Sequence, residues 1–352
     1  MASEVDPTPN PGRVRLGLAL GYWGGQPPPG VGELVLEAER LGFDSVWTSE
    51  AYGSDALTPL AWWGARTSRL RLGTAVAQLH GRTAAATAMA AATLDHLSGG
   101  RLILGLGVSG PQVVEGWHGA AFEHPLSLTR EYVEVVRRIL AREGPVEFQG
   151  RFIQLPLPGG RGKPLQLTVH PLRPNLPIWL GAEGPRNIAL AAEIADGWLA
   201  GFHSPERSAW QATALEGGFR ARLAPSERAR FEIAASLPLV VDDEVERAAD
   251  QLRPQLALYI GGMGSRSQNF HFNLFARMGF EAAATTVRDL YLSGLRREAA
   301  AAVPTALVEA VALVGPFAEV REEATRWRRA LPSLLLVSGP EASLRTAAEL
   351  FL

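Results

Sequence analysis

The stretch SGGRLILGLGVSGPQVVEGW, Ser98 to Trp117, decides the fold. Its Gly-Gly turn leads into the apolar run Leu102–Leu104, and Gly105, Gly107 and Gly110 follow, with Val108 and Ser109 between them. A short, continuously apolar run bounded by glycines predicts a strand buried on both faces, the kind found in parallel sheets. Glycines at its C-terminal end let something approach the backbone closely. In α/β barrels and open sheets, that end of the strand is where ligands sit. A tight strand-to-loop turn with no ligand satisfies the same letters, because short glycine patterns are weak signals.

Outward from this strand the chain keeps a rhythm. Before it, Arg13–Tyr22, Phe43–Thr48 and Leu70–Ala77 read as strands. Helices are predicted over Val31–Leu41 (ending at Gly42, a C-cap), about Thr58–Thr67, and the Ala-rich Ala84–His96. After it come a helix over Leu128–Arg142 and a hairpin-like excursion at Val146–Gln154. Strands at Leu176–Gly181, Gly197–Gly201 and Phe231–Val241 follow, with a helix at Pro185–Ile194 after the first of them. The chain is helical from Asp243 onwards, and a late strand at Ser333–Val337 precedes a last short helix. In the first hundred residues one strand–helix unit takes roughly 25–30 residues, the signature of successive right-handed βαβ units. Eight strands with interleaved helices predict an α/β fold of the closed (β/α)8 TIM-barrel type more than an open sheet. Between Ile260 and Val314 no strand is visible. That run, residues 260–315, reads as a helical insertion before the last βα unit of a single domain spanning 13–352.

Composition narrows the class. The 352 residues are 47% hydrophobic with a formal net charge of -2, which argues against nucleic acid as the main partner. There is no cysteine, so disulfides, thiolate metal sites and thiol nucleophiles are excluded. Lys163 is the only lysine, which leaves one candidate for Schiff-base chemistry. No apolar run reaches the ~18–20 residues of a membrane span. The first dozen residues are polar and Pro-rich, read as a disordered tail rather than a signal peptide. A cytoplasmic protein is expected. His80, His96, His118, His124, His170, His203 and His271 show no metal-ligand spacing, so no metal is expected. There is no G-x-S-x-G nucleophile elbow.

Three junctions could carry chemistry. Glu50, after the second strand, stands where a barrel displays catalytic groups and could pass protons; a loop salt bridge is the commoner fate of such a residue. Thr74, Ala75, Val76 and Ala77 end the third strand, and small residues there leave room for a flat ring. Gly181, Ala182, Glu183, Gly184, Pro185 and Arg186 form a strand–loop–helix junction whose backbone N–H groups favour an anion, with Arg186 adding charge. It is not a Rossmann fingerprint. An ordinary turn fits it equally well.

Long blocks in fixed order now bear on identity: LGFDSVWTSEAYGSDALTPLAWWGARTSRLRLGTAVAQ, LDHLSGGRLILGLGVSGPQVVEGW, PIWLGAEGPRNIALAAEIADGW and YIGGMGSRSQNFHFNLFARMGFE. With them the chain resembles the bacterial luciferase-like superfamily, and within it the deazaflavin (coenzyme F420)-dependent oxidoreductases, on the branch of methylene-tetrahydromethanopterin reductase. The resemblance runs from about Val14 to Leu336. It implies a (β/α)8 barrel, a homodimer, a deazaflavin across the C-terminal mouth, and hydride transfer between ring carbon five and an organic substrate. It implies a cis peptide bond at Ala75–Val76, contact of Ser49, Gly107 and Val108 with the cofactor, and its phosphate at Gly181–Gly184. Departures from the family pattern are equally informative. Glu50 stands where sugar-phosphate and alcohol dehydrogenases of the family carry a catalytic His. Gly110 and Trp23 replace two of their acids. This argues against those two chemistries and for a mouth lined by Trp23, Tyr52, Trp117 and His170. Glu50 becomes the expected proton-handling residue. Flavin mononucleotide (FMN) with monooxygenase chemistry, and a non-catalytic cofactor-binding paralog, are the alternatives.

Overall fold

In the computed structural model, which describes residues 14–222, 225–264 and 269–352, the glycine-bounded run is a strand, Leu102–Gly107, buried at every residue. It is the fourth of eight parallel barrel strands: β1 (Arg15–Gly21), β2 (Ser45–Thr48), β3 (Arg71–Thr74), β4 (Leu102–Gly107), β5 (Ile178–Gly181), β6 (Gly197–Ala200), β7 (Glu232–Val241) and β8 (Leu334–Ser338). Each pairs with the next, and β8 closes on β1 through Arg15↔Leu334 to Leu18↔Val337. The (β/α)8 barrel expected from the strand–helix rhythm is therefore present. The predicted tail, residues 1–12, and Arg13 lie outside the described residues.

The helices follow their strands: α1 (Val31–Leu41), α2 (Leu57–Gly64), α3 (Ala84–Ser98), α4 (Pro125–Ala141), α5 (Pro185–Ile194), α6 (Ala209–Ala221), α7 (Phe317–Arg328) and α8 (Ala342–Phe351). Gly42 ends α1 at φ 87°, where the Phe43 N–H donates to the Ala38 carbonyl at 3.0 Å. The excursion after α4 is a minimal hairpin, Phe148–Gln149 against Gln154–Leu155.

The barrel is filled by large side chains. Trp47, Ile103, Trp179, Leu199, Ala234, Leu334 and Leu336 pack in its interior, with the two indoles 5.3 Å apart. Two glycines make that possible. A Cβ on Gly73 would lie 2.2 Å from Trp47, and one on Gly197 2.6 Å from Trp179. The N-terminal end is plugged by charge: Arg15, Asp44, Arg71 and Glu232 alternate in sign and bond to one another, with Arg71 also over the Trp179 ring.

Between β7 and α7 the chain leaves the barrel. Helices begin at Val245, include Arg253–Ala257, Phe270–Phe275, Glu281–Leu292, Arg296–Ala301 and Thr305–Val311, and bury their own apolar cluster. Ala248, Ala249, Leu252 and Leu256 belong to that cluster, so the helical run after Asp243 packs on it and α7 takes the barrel position. Phe202 and Val240 of the barrel join the same cluster and seat the helices on the C-terminal mouth. The chain returns through Leu313–Gly315, which adds in parallel to the end of β7.

Candidate active site

The C-terminal ends of the strands surround a cavity of about 1440 Å³, roofed on one side by the inserted helices. Its floor is made by an irregularity of β3. Leu72 and Gly73 pair with Leu102 and Ile103 of β4, and Ala77 and Gln78 pair with Leu106 and Gly107. Three residues, Thr74 to Val76, therefore stand opposite two, Leu104 and Gly105, which is a β-bulge. Thr74 bridges the interrupted ladder: its hydroxyl donates to the Gly105 carbonyl at 2.6 Å and accepts from the Gly105 N–H at 2.9 Å. The Ala75–Val76 peptide bond is cis.

The bulge pushes Val76 over the ends of β4 and β5. A Cβ on Gly107 would lie 2.3 Å from Val76 Cγ2, and one on Gly181 2.8 Å from Val76 Cγ1. Gly107 and Gly181 are thus required by Val76, whereas Gly105 leaves room for the Thr74 carbonyl, 1.8 Å from where its Cβ would lie. Together Ala75, Val76, Gly107, Val108 and Gly181 make a flat apolar shelf inside the cavity.

Beyond the shelf, Ala182, Glu183, Gly184 and Arg186 line the cavity at the start of α5. Gly184 is the N-cap and Pro185 follows it; a Cβ on Gly184 would meet nothing within 4 Å. An N-terminal helix end with Arg186 beside it suits an anion. A flat ring system with an anionic tail fits this combination of shelf, length and helix end. Among the described residues no group of three or more His, Cys, Asp or Glu converges to hold a metal ion.

Ser49, Tyr52 and Trp117 also line the cavity, the last two on its rim with 55% and 67% exposure. Two expected residues do not. Neighbouring residues of an extended chain face opposite ways, and it is Tyr22, not Trp23, that lines the cavity. The Trp23 N–H is donated to Ser54 Oγ at 3.0 Å. His170 lies at the opposite end of the barrel, where its carbonyl meets His96 Nε2 at 2.7 Å in the last turn of α3.

Glu50 reaches the cavity wall with its carboxylate engaged. Oε1 accepts from the Gln78 N–H and from Arg82 Nη1, each at 2.7 Å, and Oε2 accepts from the Ala56 N–H at 3.0 Å. Gln78 answers by donating to the Glu50 and Ala51 carbonyls. Tyr132 holds Arg82 from behind, its hydroxyl donating to the Arg82 carbonyl at 3.0 Å. This is the loop salt bridge that the sequence also allowed. It ties the loop after β2 to the residues that follow the bulge, Gln78 and Arg82.

Four cavity groups went unnoticed in the sequence: Tyr22, Gln255, Tyr259 and Arg277. His271, counted there only among the seven histidines, joins them. Tyr259 sits in a π-turn, Leu258–Gly262, of the inserted helices, and such turns re-aim side chains at functional sites. Its ring meets His271 edge-on at 4.8 Å, and both pack edge-on against Phe202. Burial pushes the Tyr259 hydroxyl up to about 12 and His271 down to about 4. Tyr22 follows β1, and no strand-and-glycine signal marks the other four, because they come from helices that leave the barrel and return.

Comparison with known proteins agrees with this architecture. The model of the luciferase-like monooxygenase family matches residues 8–333. A putative coenzyme F420-dependent oxidoreductase of Mycobacterium tuberculosis is 51% identical over 333 residues, covering 94% of this chain and 96% of that protein. The 5,10-methylenetetrahydromethanopterin reductase of Methanolobus tindarius is 30% identical over 226 residues, covering 64% and 65%. Among solved structures, the coenzyme F420-dependent tetrahydromethanopterin reductase of Methanopyrus kandleri superposes with a TM-score of 0.78 at 23% identity, covering 96% of this chain and 98% of that one. The chain belongs to the luciferase-like monooxygenase family, in the branch of the coenzyme F420-dependent oxidoreductases.

Proposed function

We propose that this protein is an oxidoreductase that transfers a hydride between coenzyme F420 and an uncharged organic substrate bearing a C=C, C=N or C=O bond. The observation that carries the reading is the Val76 shelf, which lies level with a helix N-terminus in one continuous cavity. The residues fit the group. Ala75 and Val76 back the ring, Gly107, Val108 and Ser49 flank it, and Gly184 with Arg186 receives the phosphate of its tail. When bound, the deazaflavin supplies a hydride donor or acceptor at ring carbon five. The chain's own work is orientation and exclusion of water. Glu50 and Arg82 fix the shelf, while Tyr52 and Trp117 wall the substrate side. The inserted helices cover the mouth with Tyr259 and His271.

The relative 51% identical to this chain, named for coenzyme F420, supports the cofactor. A cytoplasmic homodimer completes the reading. Trp62 on α2 and Met89 on α3, helices packed on each other, expose 63% and 58% of their surface and suit a partner copy.

Fluorescence titration with both cofactors tests the proposal. Tight binding of the deazaflavin and weak binding of FMN is the expected result, in a sample that sediments as a dimer. Preferential FMN binding would replace hydride transfer by monooxygenase chemistry, and binding of neither would remove the assignment of the shelf.

A further inference from the structure

Adding hydride to a double bond requires a proton at the other atom, and Glu50 is not free to supply it. A second carboxyl is present. Glu183 follows β5, and its side chain turns away from the start of α5 toward the end of β6, where Oε1 accepts from the Gly201 N–H at 3.1 Å. That seat is specific, since a Cβ on Gly201 would lie 2.3 Å from Glu183 Oε1. Among the described residues no arginine or lysine pairs with it, in contrast to Glu50. The titratable groups sharing its part of the cavity are Tyr22 from the end of β1, Tyr259 and His271 from the inserted helices, and the cations Arg186 and Arg277. Gln255 holds the Tyr259 hydroxyl.

We propose that Glu183 is the acid–base residue of this enzyme, giving the substrate its proton from Oε2 while Oε1 remains on the Gly201 N–H. The inference rests on the hydride-transfer reading above. Burial favours the neutral carboxyl, which is pushed up to about 8, the Gly201 N–H opposing this only in part. A neutral acid also avoids repelling an anionic cofactor tail at the nearby helix end. The step balances. One atom of the substrate double bond would receive the hydride that the bound, reduced deazaflavin would supply, the deazaflavin being the reductant. The π pair goes to the other atom, which takes the Glu183 proton, and solvent water reprotonates the carboxylate. The same groups run the reverse reaction. Two tyrosines, an amide and an imidazole beside the carboxyl offer hydrogen bonds to a carbonyl compound or conjugated alkene.

The test has two arms. In the cofactor-free protein, infrared difference spectra between pH 6 and pH 10 are expected to show a carboxylic C=O band that disappears with a midpoint near 8 and is absent from Glu183→Gln. In the loaded enzyme, Glu183→Gln is expected to lower kcat about 100-fold and to abolish the basic limb of its pH profile, with deazaflavin affinity within twofold of wild type. A band midpoint near the ordinary carboxyl value overturns the proposal, as does an E183Q enzyme with unchanged kcat and pH limb. Wild-type protein that binds no deazaflavin overturns the function itself, whatever the infrared band does.

Discussion

Glu50 and Glu183 show how much one side chain's neighbours decide. Both follow barrel strands and both line the cavity, so position alone makes them equal candidates. Two backbone amides and an arginine fix Glu50 in place, whereas Glu183 is held by one amide, that of Gly201. The sequence displays both letters but neither set of partners, because Arg82 and Gly201 reach their carboxylates only through strand pairing. Glu50→Ala leaves Arg82 and two amides without their acceptor and is expected to lower stability by about 3 kcal/mol. Glu50→Gln, which keeps an oxygen but loses the charge, should cost about half that, as hydrogen bonds to charged groups exceed neutral ones. Denaturant unfolding measures both. The pH profile of turnover should keep its wild-type limbs in each variant, and a shifted limb would return Glu50 to proton transfer. Glu183 has the opposite signature. Its folded value is raised, so its contribution to stability is present below pH ~4.5 and lost as pH rises through about 8. Glu183→Gln should therefore be more stable than wild type above pH 8.

At the level of elements, the β3 bulge and the glycines of β4 and β5 form one device. The sequence made β4 readable because LILGLG is continuously apolar and bounded by turns, and α5 because Gly184-Pro185 starts it cleanly. It did not reveal why Gly107 is glycine, since the cause, Val76, lies on another strand. The device predicts compensation. Gly107→Ala forces a Cβ to within 2.3 Å of Val76 Cγ2 and should weaken deazaflavin binding at least tenfold and lower stability by about 1–3 kcal/mol. Adding Val76→Ala removes the clashing methyl and should recover much of the stability. Affinity should recover less, because the shelf itself is shortened. Equal losses in the single and double variants, measured by unfolding and fluorescence titration, would mean that Gly107 serves something other than Val76.

The whole molecule divides its labour between the two ends of the barrel. At the N-terminal end, Arg15, Asp44, Arg71 and Glu232 close the interior beneath the Trp47–Trp179 layer, three of them at the first residue of a strand. The strand rhythm could place those residues at strand starts, but only barrel closure brings β1, β3 and β7 within ion-pair distance. At the C-terminal end lie the bulge, the N-terminus of α5 and the inserted helices. Between the ends stands a packed aromatic layer, which should keep the two sets of energies additive. Glu232→Ala then makes a sharp test. It strips Arg15 and Arg71 of a shared partner in a partly buried network and should cost about 3 kcal/mol of stability. The deazaflavin affinity of the folded protein should stay within twofold, because the ion-pair partners of Glu232 among the described residues, Arg15 and Arg71, are not part of the cavity wall. A matching loss of affinity would mean that the barrel transmits strain from one end to the other, and that the bulge geometry depends on closure of the whole ring of strands.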